Sequence, residues 1–406
     1  MSEKILAQAI SLAPRVRKIS DEVLARHIQR NDVVQATWLS LVSSRPAFFL
    51  GSPGVDKTGT VQSLAGRING AIFYDALMPT VVSVEQLLVE STSIEEMPTA
   101  DGGKTIRTAD TLGRAAGAHL LFADEIWKAD PRVLQTLIDL AKGDGVRHEG
   151  QMVKTPLLAF LSASNELPDS EGNLGAIWSR MTIRVVVNPL DRAGKSGLVK
   201  ARLNRDRLSA TSVSSQLTLS DVETLRKARP FVEVPDAIVE VALDILQALL
   251  DDKTSGDFSW AWADDRRFGR LFDVMQAKAL LDGRATIGKQ DLAVLEWLLW
   301  DSPEQIPVVK AKLLPYCRTP LSEAQELVDA LFSPSGTVQT VIQRNDRQKG
   351  VQALDQAKTC AAELARLKSE AGSDGSMTAK IADLISQVAA IQQDVITVML
   401  GNRVSA

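Results

Sequence analysis

The apolar residues of this chain follow two different spacings, and the change between them divides the sequence. From residue 3 to residue 42 they recur every three or four positions, as in the stripe of Ile19, Val23, Leu24 and Ile28. This spacing predicts amphipathic helices. Between residues 47 and 187, short continuous apolar runs alternate with amphipathic segments. Strands that alternate with helices in this way indicate a parallel sheet with helices on both faces.

Five of the short runs are the predicted strands of that sheet. Each is a run of mostly apolar residues, which is typical of a strand buried on both faces. They are Ala47–Leu50, Ala71–Tyr74, His119–Ala123, Leu157–Asn165 and Ile183–Val187. Two further segments, around Lys104–Arg107 and over Val146–Val153, are predicted to form hairpins.

The second half of the chain is predicted to be helical. Residues 220–300 carry helical spacing and end in the apolar segment Trp297–Trp300. A short helix over Leu321–Phe332 is then followed by two long ones, Val338–Ala371 and Met377–Leu400. Because glycines separate the two long helices, they are expected to form an antiparallel hairpin, and the three helices together a bundle. This bundle is either a packing appendage or a docking arm for a partner.

Four parts follow from these patterns. Residues 1–190 are predicted to form an α/β core with N-terminal helices, and residues 191–219 a polar connector. Residues 220–315 are predicted to form a helical subdomain, and residues 316–406 the C-terminal bundle.

Composition narrows the class of protein. The chain has 406 residues and a formal net charge of −4 at pH 7, which argues against a nucleic-acid or membrane surface. Its two cysteines, Cys317 and Cys360, fit no metal-ligand spacing and suit a reducing cytoplasm. No apolar run approaches the roughly 18 residues that a membrane helix needs. The three histidines are scattered, which argues against a histidine metal site.

The stretch from Phe48 to Thr58 predicts a phosphate-binding loop. An apolar strand is followed by a glycine-rich segment and then by a helix that begins at Lys57-Thr58. Backbone N–H groups and the positive end of the helix can hold a di- or triphosphate. Lys57 can reach the terminal phosphates, and the Thr58 hydroxyl can ligate Mg²⁺. The residues predicted to contact the nucleotide are Gly51, Ser52, Pro53, Gly54, Val55, Asp56, Lys57 and Thr58.

Asp56 departs from the usual pattern of this loop, because glycine normally holds its position in G-x-x-x-x-G-K-[ST]. At an effective dielectric constant of about 20, two like charges roughly 6 Å apart repel by about 3 kcal/mol. That energy corresponds to about a hundredfold in affinity. The sequence therefore predicts weakened nucleotide binding, unless the carboxylate points to solvent or pairs with a cation. It also predicts that Asp56→Gly or Asp56→Ala raises the affinity.

Polar residues at the ends of two later strands are candidates for the same chemistry. Asp124 and Glu125 directly follow the run His119–Ala123. Asp124 can hold Mg²⁺ and its water shell, and Glu125 can orient the attacking water. Asn165 ends the next apolar run, where its amide can bind the γ-phosphate or the water, or simply stabilise a turn.

With these residues in view, the chain resembles the MoxR family of AAA+ ATPases, most closely the RavA-type subgroup. The resemblance covers about residues 15–315 and is carried by six segments in order. They are LGSPGVDKT, LFADEIWKAD, LSASNELP, IWSRM, WADDRR and the block Leu292–Trp300. It implies an α/β P-loop NTPase (AAA+) core with a parallel sheet, an α-helical lid over residues 220–315, and ATP or ADP with Mg²⁺ as cofactors.

The resemblance also implies roles for arginines that the residues alone do not assign. Arg180 matches the arginine finger, which reaches the nucleotide of the adjacent subunit, and Arg184 is the alternative. Arg266 matches the sensor 2 arginine of the lid, and Arg267 is its alternative. An arginine finger that acts on the nucleotide of a neighbouring subunit makes hydrolysis depend on ring assembly.

The function that the resemblance implies is an ATP-driven, chaperone-like remodeller that forms a hexameric ring. Its expected partner carries a von Willebrand factor A-type domain. RavA-type proteins also carry a β-rich insert in the C-terminal helical region, and no strand-rich segment is found there in this sequence. Because of Asp56, a nucleotide-gated scaffold with little or no hydrolysis is the alternative. A DNA or RNA motor is a weaker third hypothesis.

Overall fold

The computed structural model of the chain describes most of its residues. They are 2–98, 104–141, 146–148, 151–168, 174–203, 215–252, 254, 257–318, 320–333, 336–344, 346–372 and 375–400. Contacts within the chain divide it into two units, Met1–Leu313 and Leu314–Ala406. The first unit contains all of the described strands.

A five-stranded parallel sheet lies at the centre of the first unit. In chain order its strands are β1 (Ala47–Leu50), β3 (Phe73–Leu77), β6 (Leu120–Asp124), β9 (Ala159–Ser164) and β10 (Ile183–Val186). They pair in the order β10-β1-β9-β6-β3, and every pair is parallel. The predicted parallel sheet is confirmed. The carboxyl ends of β1, β9 and β6 therefore lie side by side at one edge, which is where parallel α/β sheets bind ligands.

Three small two-stranded sheets accompany the central one. A short parallel pair joins β2 (Ile68–Asn69) to β11 (Leu217–Thr218). Two antiparallel hairpins are formed by β4 (Val89–Pro98) with β5 (Lys104–Leu112) and by β7 (Val146–His148) with β8 (Gln151–Val153). Hairpins are thus present in both segments where the sequence predicts them.

Helices account for most of the rest of the first unit. In chain order they are α1 (Ser2–Leu24), α2 (Asn31–Ser43), α3 (Lys57–Ala65), α4 (Glu85–Leu88), α5 (Pro131–Ala141), α6 (Leu174–Trp178), α7 (Arg192–Leu203), α8 (Leu219–Ala228), α9 (Asp236–Leu250), α10 (Ser259–Ala263), α11 (Asp265–Leu281) and α12 (Ile306–Cys317), the last of which crosses the unit boundary. Lys289–Trp297 is a 3-10 helix.

The N-terminal helices pack against both the sheet and the later helices. Of the predicted stripe, Ile19 and Val23 lie on α1 and are at most 1% exposed, whereas Leu24 is half-buried at its end and Ile28, also half-buried, lies beyond it. Helix α2 is buried from Val33 onward except at Gln35, and it contacts β1, β9, β10 and α11. Because α1 also contacts α8 and α11, the α/β core and the helices after residue 219 share one core.

An ion-paired cluster joins the last strand of the sheet to the later helices. Arg184 of β10 is completely buried, and its guanidinium donates to Asp301 and to the carbonyls of Trp178 and Met181. Arg267 of α11 donates to the same carboxylate at 3.2 Å. A buried pair of like charges needs a shared counter-ion, and Asp301 supplies it. Burial lowers the pKa of Arg184 to about 10, so it stays charged at neutral pH.

The second unit is a helical bundle whose core is aliphatic. Its helices are α13 (Pro320–Leu331), α14 (Thr337–Arg344), α15 (Gly350–Glu370) and α16 (Gly375–Met399). The buried stripe of α16 includes Ile381, Val388 and Val395, as its spacing predicts. Helices α15 and α16 are antiparallel, as the predicted hairpin requires. Gly372, which follows α15, has a left-handed backbone with φ +57°.

The prediction of one helix over Val338–Ala371 is wrong, and the bundle has an additional helix. The chain leaves α14 at Arg344, and Asp346 then caps a 3-10 turn over Arg347–Lys349 through a hydrogen bond from the Gln348 N–H. At Gly350, where α15 begins, a Cβ would lie 2.5 Å from Cγ of Met399. The close approach of α16 therefore favours a glycine at this point.

Across the described part of the chain, no helix is both long enough and apolar enough to cross a lipid bilayer.

Candidate nucleotide-binding site

The loop after β1 is held tightly against the neighbouring strands. The Gly51 N–H donates to the carbonyl of Ser164 at the end of β9, at 3.0 Å. A Cβ at Gly51 would lie 2.4 Å from the carbonyl oxygen of Val187. Only glycine fits such a close approach of two backbones. The loop thus leaves the sheet at a fixed point, directly above the ends of β1 and β9.

Two residues of the loop adopt left-handed backbone conformations before the helix begins. Gly54 has φ +79°, and Asp56 has φ 63° and ψ 34°. Left-handed geometry is the reason that glycine is usual at the position of Asp56, and aspartate is one of the few other residues that tolerate it. The loop conformation therefore survives the substitution, and Asp56 directly precedes the first turn of α3.

Lys57 lies buried at the start of α3, with its ammonium group turned back along the loop. Its Nζ donates to the carbonyl of Gly51 at 2.6 Å and to that of Ser52 at 3.1 Å. Burial lowers the pKa of Lys57, the Asp124 carboxylate opposes that shift, and the nearby Arg30 adds to it. A buried ammonium with two carbonyl contacts is poised to exchange one of them for phosphate oxygens.

The two acids after β6 lie at the same edge of the sheet. Asp124 ends β6, and its Oδ1 accepts from the Glu125 N–H at 3.0 Å. Glu125 has φ 52°, a strained conformation for a non-glycine residue that is common at functional sites. Its Oε2 lies 3.0 Å from Nζ of Lys128, which raises the pKa of that lysine.

These groups meet in one cleft of about 320 Å³. Its lining combines the loop and the first turn of α3 with the ends of β6 and β9. The lining residues are Gly51, Pro53, Gly54, Val55, Asp56, Lys57, Thr58, Gly59, Asp124, Glu125, Ser164 and Asn165. Ser52 is not among them, and it takes part through its carbonyl contact with Lys57.

The donor set of the cleft fits Mg²⁺. The Thr58 hydroxyl and the Asp124 carboxylate both line it, and hard oxygen donors of this kind are those that Mg²⁺ uses together with phosphate and water. The exposed Asn165 adds an amide at the end of β9. The residues present therefore fit a magnesium–nucleotide complex.

Among the described residues, Arg180 and Arg266 do not line the cleft. Arg180 follows α6, and the carbonyl of the adjacent Ser179 accepts from Arg270 of α11 at 3.4 Å. Burial lowers the pKa of Arg270, and the positive charges of Arg45, Arg180 and Arg266 lower it further. The structure thus brings the finger candidate and the sensor 2 candidate into one arginine cluster outside the cleft.

Burial excludes the alternative finger, Arg184, and the alternative sensor 2 residue, Arg267, from contact with a nucleotide. Arg184 is 0% exposed and bound to Asp301, so the proposal that it serves as a finger is wrong. Arg267 is 4% exposed, stacks over Trp260 with its guanidinium carbon 3.4 Å from the ring centroid, and donates to the carbonyl of Leu298. Both side chains are fixed inside the protein and cannot reach a nucleotide.

Sequence reasoning missed His27, the residue that contacts Asp56. It lies between α1 and α2, and its Nδ1 is 2.6 Å from Oδ2 of Asp56. Arg30, three residues later, is buried and donates to the carbonyl of Val55 at 2.7 Å. No motif marks this segment, because the contact joins residues 29 positions apart. The carboxylate of Asp56 therefore has an imidazole partner, and the charge of Arg30 acts on it from the same segment.

A parallel sheet, a glycine loop that opens a helix, two acids at the end of a neighbouring strand and a helical lid define the P-loop nucleotide-binding class, in its AAA+ form. A family profile described as the MoxR domain of MoxR–vWA–β-propeller ternary systems matches residues 14–227, and a profile of AAA lid domains matches residues 237–313. The first match spans more than half of the chain. The chain belongs to the MoxR family of AAA ATPases.

Three curated proteins are similar to this chain in sequence. The uncharacterized proteins MJ0079 and MJ0812 of Methanocaldococcus jannaschii are 27% and 26% identical over 296 and 300 residues, which cover 73% of this chain and 72% and 74% of theirs. Structural protein ORF618 of Acidianus two-tailed virus is 25% identical over 313 residues, 70% of this chain and 50% of its own length.

The fold also matches a crystal structure from Cytophaga hutchinsonii that is described as a candidate ATPase. The TM-score is 0.58 at 14% identity, and the match covers 77% of this chain and 96% of the other. At this identity the similarity concerns the fold.

Proposed function

We propose that this protein hydrolyses ATP in the cleft and that a neighbouring copy of the chain completes the reaction. One observation carries the proposal. Lys57, Thr58, Asp124, Glu125 and Asn165 converge on one cleft from three separate parts of the chain. Phosphoryl transfer depends mainly on positioning and charge stabilisation, and this set contains a cation, metal ligands, a carboxylate base and an amide.

Each residue of the cleft has a role in this proposal. The N–H groups at the start of α3 and the Lys57 ammonium bind the β- and γ-phosphates. Thr58 and Asp124 hold Mg²⁺, which neutralises developing charge on the phosphate oxygens when it is bound. Glu125 orients and deprotonates the attacking water, for which it must leave Lys128. Asn165 donates to the γ-phosphate or the water.

The arginine cluster supports a contribution in trans. Arg180 and Arg266 carry positive charge outside the cleft of their own subunit, next to Arg270. Head-to-tail assembly places a surface of one subunit against a different surface of the next. We propose that the cluster faces the γ-phosphate held by the adjacent subunit in a hexameric ring, with Arg180 as the finger and Arg266 as sensor 2.

The ring is proposed to remodel a protein partner. The matched family profile is named for systems that also contain a vWA protein and a β-propeller protein. This supports a partner with a von Willebrand factor A-type domain, whose structure nucleotide turnover would change. The proposed assignment to the RavA-type subgroup is supported only by the sequence segments quoted above. The four predicted parts, with a lid over residues 220–315, are retained as the functional division of the chain.

A nucleotide-gated scaffold is the second candidate, and Glu125 and Asp56 favour it. Glu125 is paired with Lys128, and Asp56 puts a carboxylate at the phosphate-binding loop. Such a protein would bind nucleotide and assemble, but turn over slowly or not at all.

Two substitutions distinguish the candidates. Lys57→Ala should abolish ATP binding, because it removes the only charge of the loop that favours phosphate. Glu125→Gln should bind ATP as the wild type does and lose turnover by a factor of about 10² or more. Calorimetric titration with ATP and Mg²⁺ and steady-state phosphate release measure both. Lys195→Ala, an exposed lysine on α7, is the control. Wild-type binding without Mg²⁺-dependent turnover at any protein concentration would establish the scaffold instead.

A further inference from the structure

The side chain of Asp56 does not do what aspartate usually does at its position. Asp56 is the residue immediately before α3. An aspartate with extended backbone at such a position accepts from the N–H groups of the second or third helical residue, whereas the backbone of Asp56 is left-handed. In this structure its carboxylate makes no such bond. Those residues are Thr58 and Gly59, at the mouth of the cleft. Their N–H groups are the donors on which a phosphate-binding loop relies.

His27 is the partner that the carboxylate contacts instead. Its Nδ1 donates to Oδ2 of Asp56 at 2.6 Å. Its Nε2 lies 2.6 Å from Oγ of Ser63, about two turns further along α3 than Asp56. A serine hydroxyl both donates and accepts, so it can bind the imidazole in its neutral or its charged form. The imidazole is thus fixed at both ends, with an exposed fraction of only 13%.

Gly59 provides the space that this arrangement needs. A Cβ at residue 59 would lie 2.3 Å from Oδ1 of Asp56 and 3.8 Å from the His27 ring. Any larger residue would push the carboxylate out of its place. The first turn of α3 therefore combines an aspartate with a glycine that helix propensity alone disfavours, since glycine is less favourable than alanine in a helix.

We propose that His27 is a positioning residue for nucleotide binding. By fixing Asp56 on the flank of α3, it keeps the carboxylate from occupying the N–H groups of Thr58 and Gly59 and from repelling phosphate. Arg30, whose charge acts on Asp56 from the same segment, adds positive potential beneath the loop. The inference rests on the proposed function, because it concerns how the same cleft accepts phosphate. It explains how the chain tolerates a charged residue at a position that glycine usually holds.

A double-mutant cycle between His27 and Asp56 tests the proposal, with ATP and Mg²⁺ as the ligand. His27→Ala should weaken ATP binding by about ten- to a hundredfold, because the released carboxylate competes for the N–H donors and repels phosphate. In the Asp56→Ala background, the same change should have an effect of less than about threefold. KM should rise with little change in kcat, since Glu125 and the metal ligands are untouched. His27→Asn, whose amide can still donate to Asp56, should restore most of the affinity.

Gly59→Ala gives an independent arm of the test. It should weaken ATP binding when Asp56 is present, because the new methyl group displaces the carboxylate. In the Asp56→Ala background the loss of affinity should be at least about threefold smaller, and the melting temperature should rise, since alanine is the better helix former.

The outcomes distinguish a failure of this inference from a failure of the proposed function. If His27→Ala lowers affinity equally with aspartate or alanine at position 56, the histidine acts only on the fold and the inference is wrong. It is also wrong if wild type and His27→Ala bind ATP equally. If neither the wild type nor Asp56→Ala binds ATP, the proposed function itself fails. Melting temperatures of the nucleotide-free variants show whether each protein is folded.

Discussion

Two neighbouring arginines at the start of α11 show how burial decides between candidates that sequence cannot separate. Arg266 and Arg267 stand side by side in WADDRR, and either could match sensor 2. Successive residues of a helix point about 100° apart. The Arg267 guanidinium is locked against Asp301 and Trp260, so Arg266 faces outward. The same argument removes Arg184 and leaves Arg180.

Alanine substitutions of Arg266 and Arg267 should therefore differ in their effects on thermal stability and on ATP turnover. Arg266→Ala should keep the melting temperature within about 1 °C and reduce ATP turnover by a factor of about 10² or more. Arg267→Ala should lower the melting temperature by several degrees, because it removes a buried, hydrogen-bonded cation. Thermal unfolding and phosphate release on both variants test this. A stable, inactive Arg267→Ala protein would reverse the assignment.

Asp301 is expected to stabilise the first unit through both buried arginines. Asp301→Ala leaves two like charges without their counter-ion and should cost about 3 kcal/mol of unfolding free energy. Denaturant unfolding measures the change, and Glu240→Ala, at an exposed position on α9, should cost less than about 0.5 kcal/mol. Equal stability of Asp301→Ala and wild type would show that the cluster contributes nothing.

At the scale of elements, apolar runs predicted the strands of the sheet well, because fully buried parallel strands are continuously apolar. The three groups of cleft residues could be predicted for the same reason, since each follows or ends such a run. The helix break before Gly350 could not be predicted. The 3-10 turn at the break, over Arg347–Lys349, is polar throughout, and polar residues are also common on the exposed face of a continuous helix.

The bundle core offers a prediction that concerns the second unit by itself. Leu364 of α15 is 0% exposed, and Leu364→Ala should cost about 2–5 kcal/mol of the stability of that unit. Cys360, one turn earlier, is buried, and its burial raises the pKa of the thiol. In the variant it should be alkylated faster by iodoacetamide, whereas Lys358→Ala should leave its rate unchanged. ATP binding, which belongs to the first unit, should persist in both; slow labelling of Leu364→Ala would contradict the packing.

At the scale of the whole molecule, the groups proposed to carry out hydrolysis fall into two sets. One lines the cleft, and the other forms the arginine cluster beyond it. The cleft residues could be predicted from the motifs and the two arginines from the resemblance. The packing of α11 against α2 and the end of α6, which gathers the arginines, is a tertiary feature and could not be predicted. The contact of His27 with Asp56 was unpredictable for the same reason. An active site shared between copies reconciles the two sets.

Subunit mixing tests this account most directly. Arg180→Ala has an intact cleft but no finger for its neighbour, and Glu125→Gln has the finger but no base. Each protein alone should be inactive. In an equal mixture, random pairing brings an intact cleft next to an intact finger at about one quarter of the interfaces. ATP turnover should therefore recover to a measurable fraction of the wild-type rate on mixing, and a mixture that stays as inactive as its components would contradict a site completed in trans.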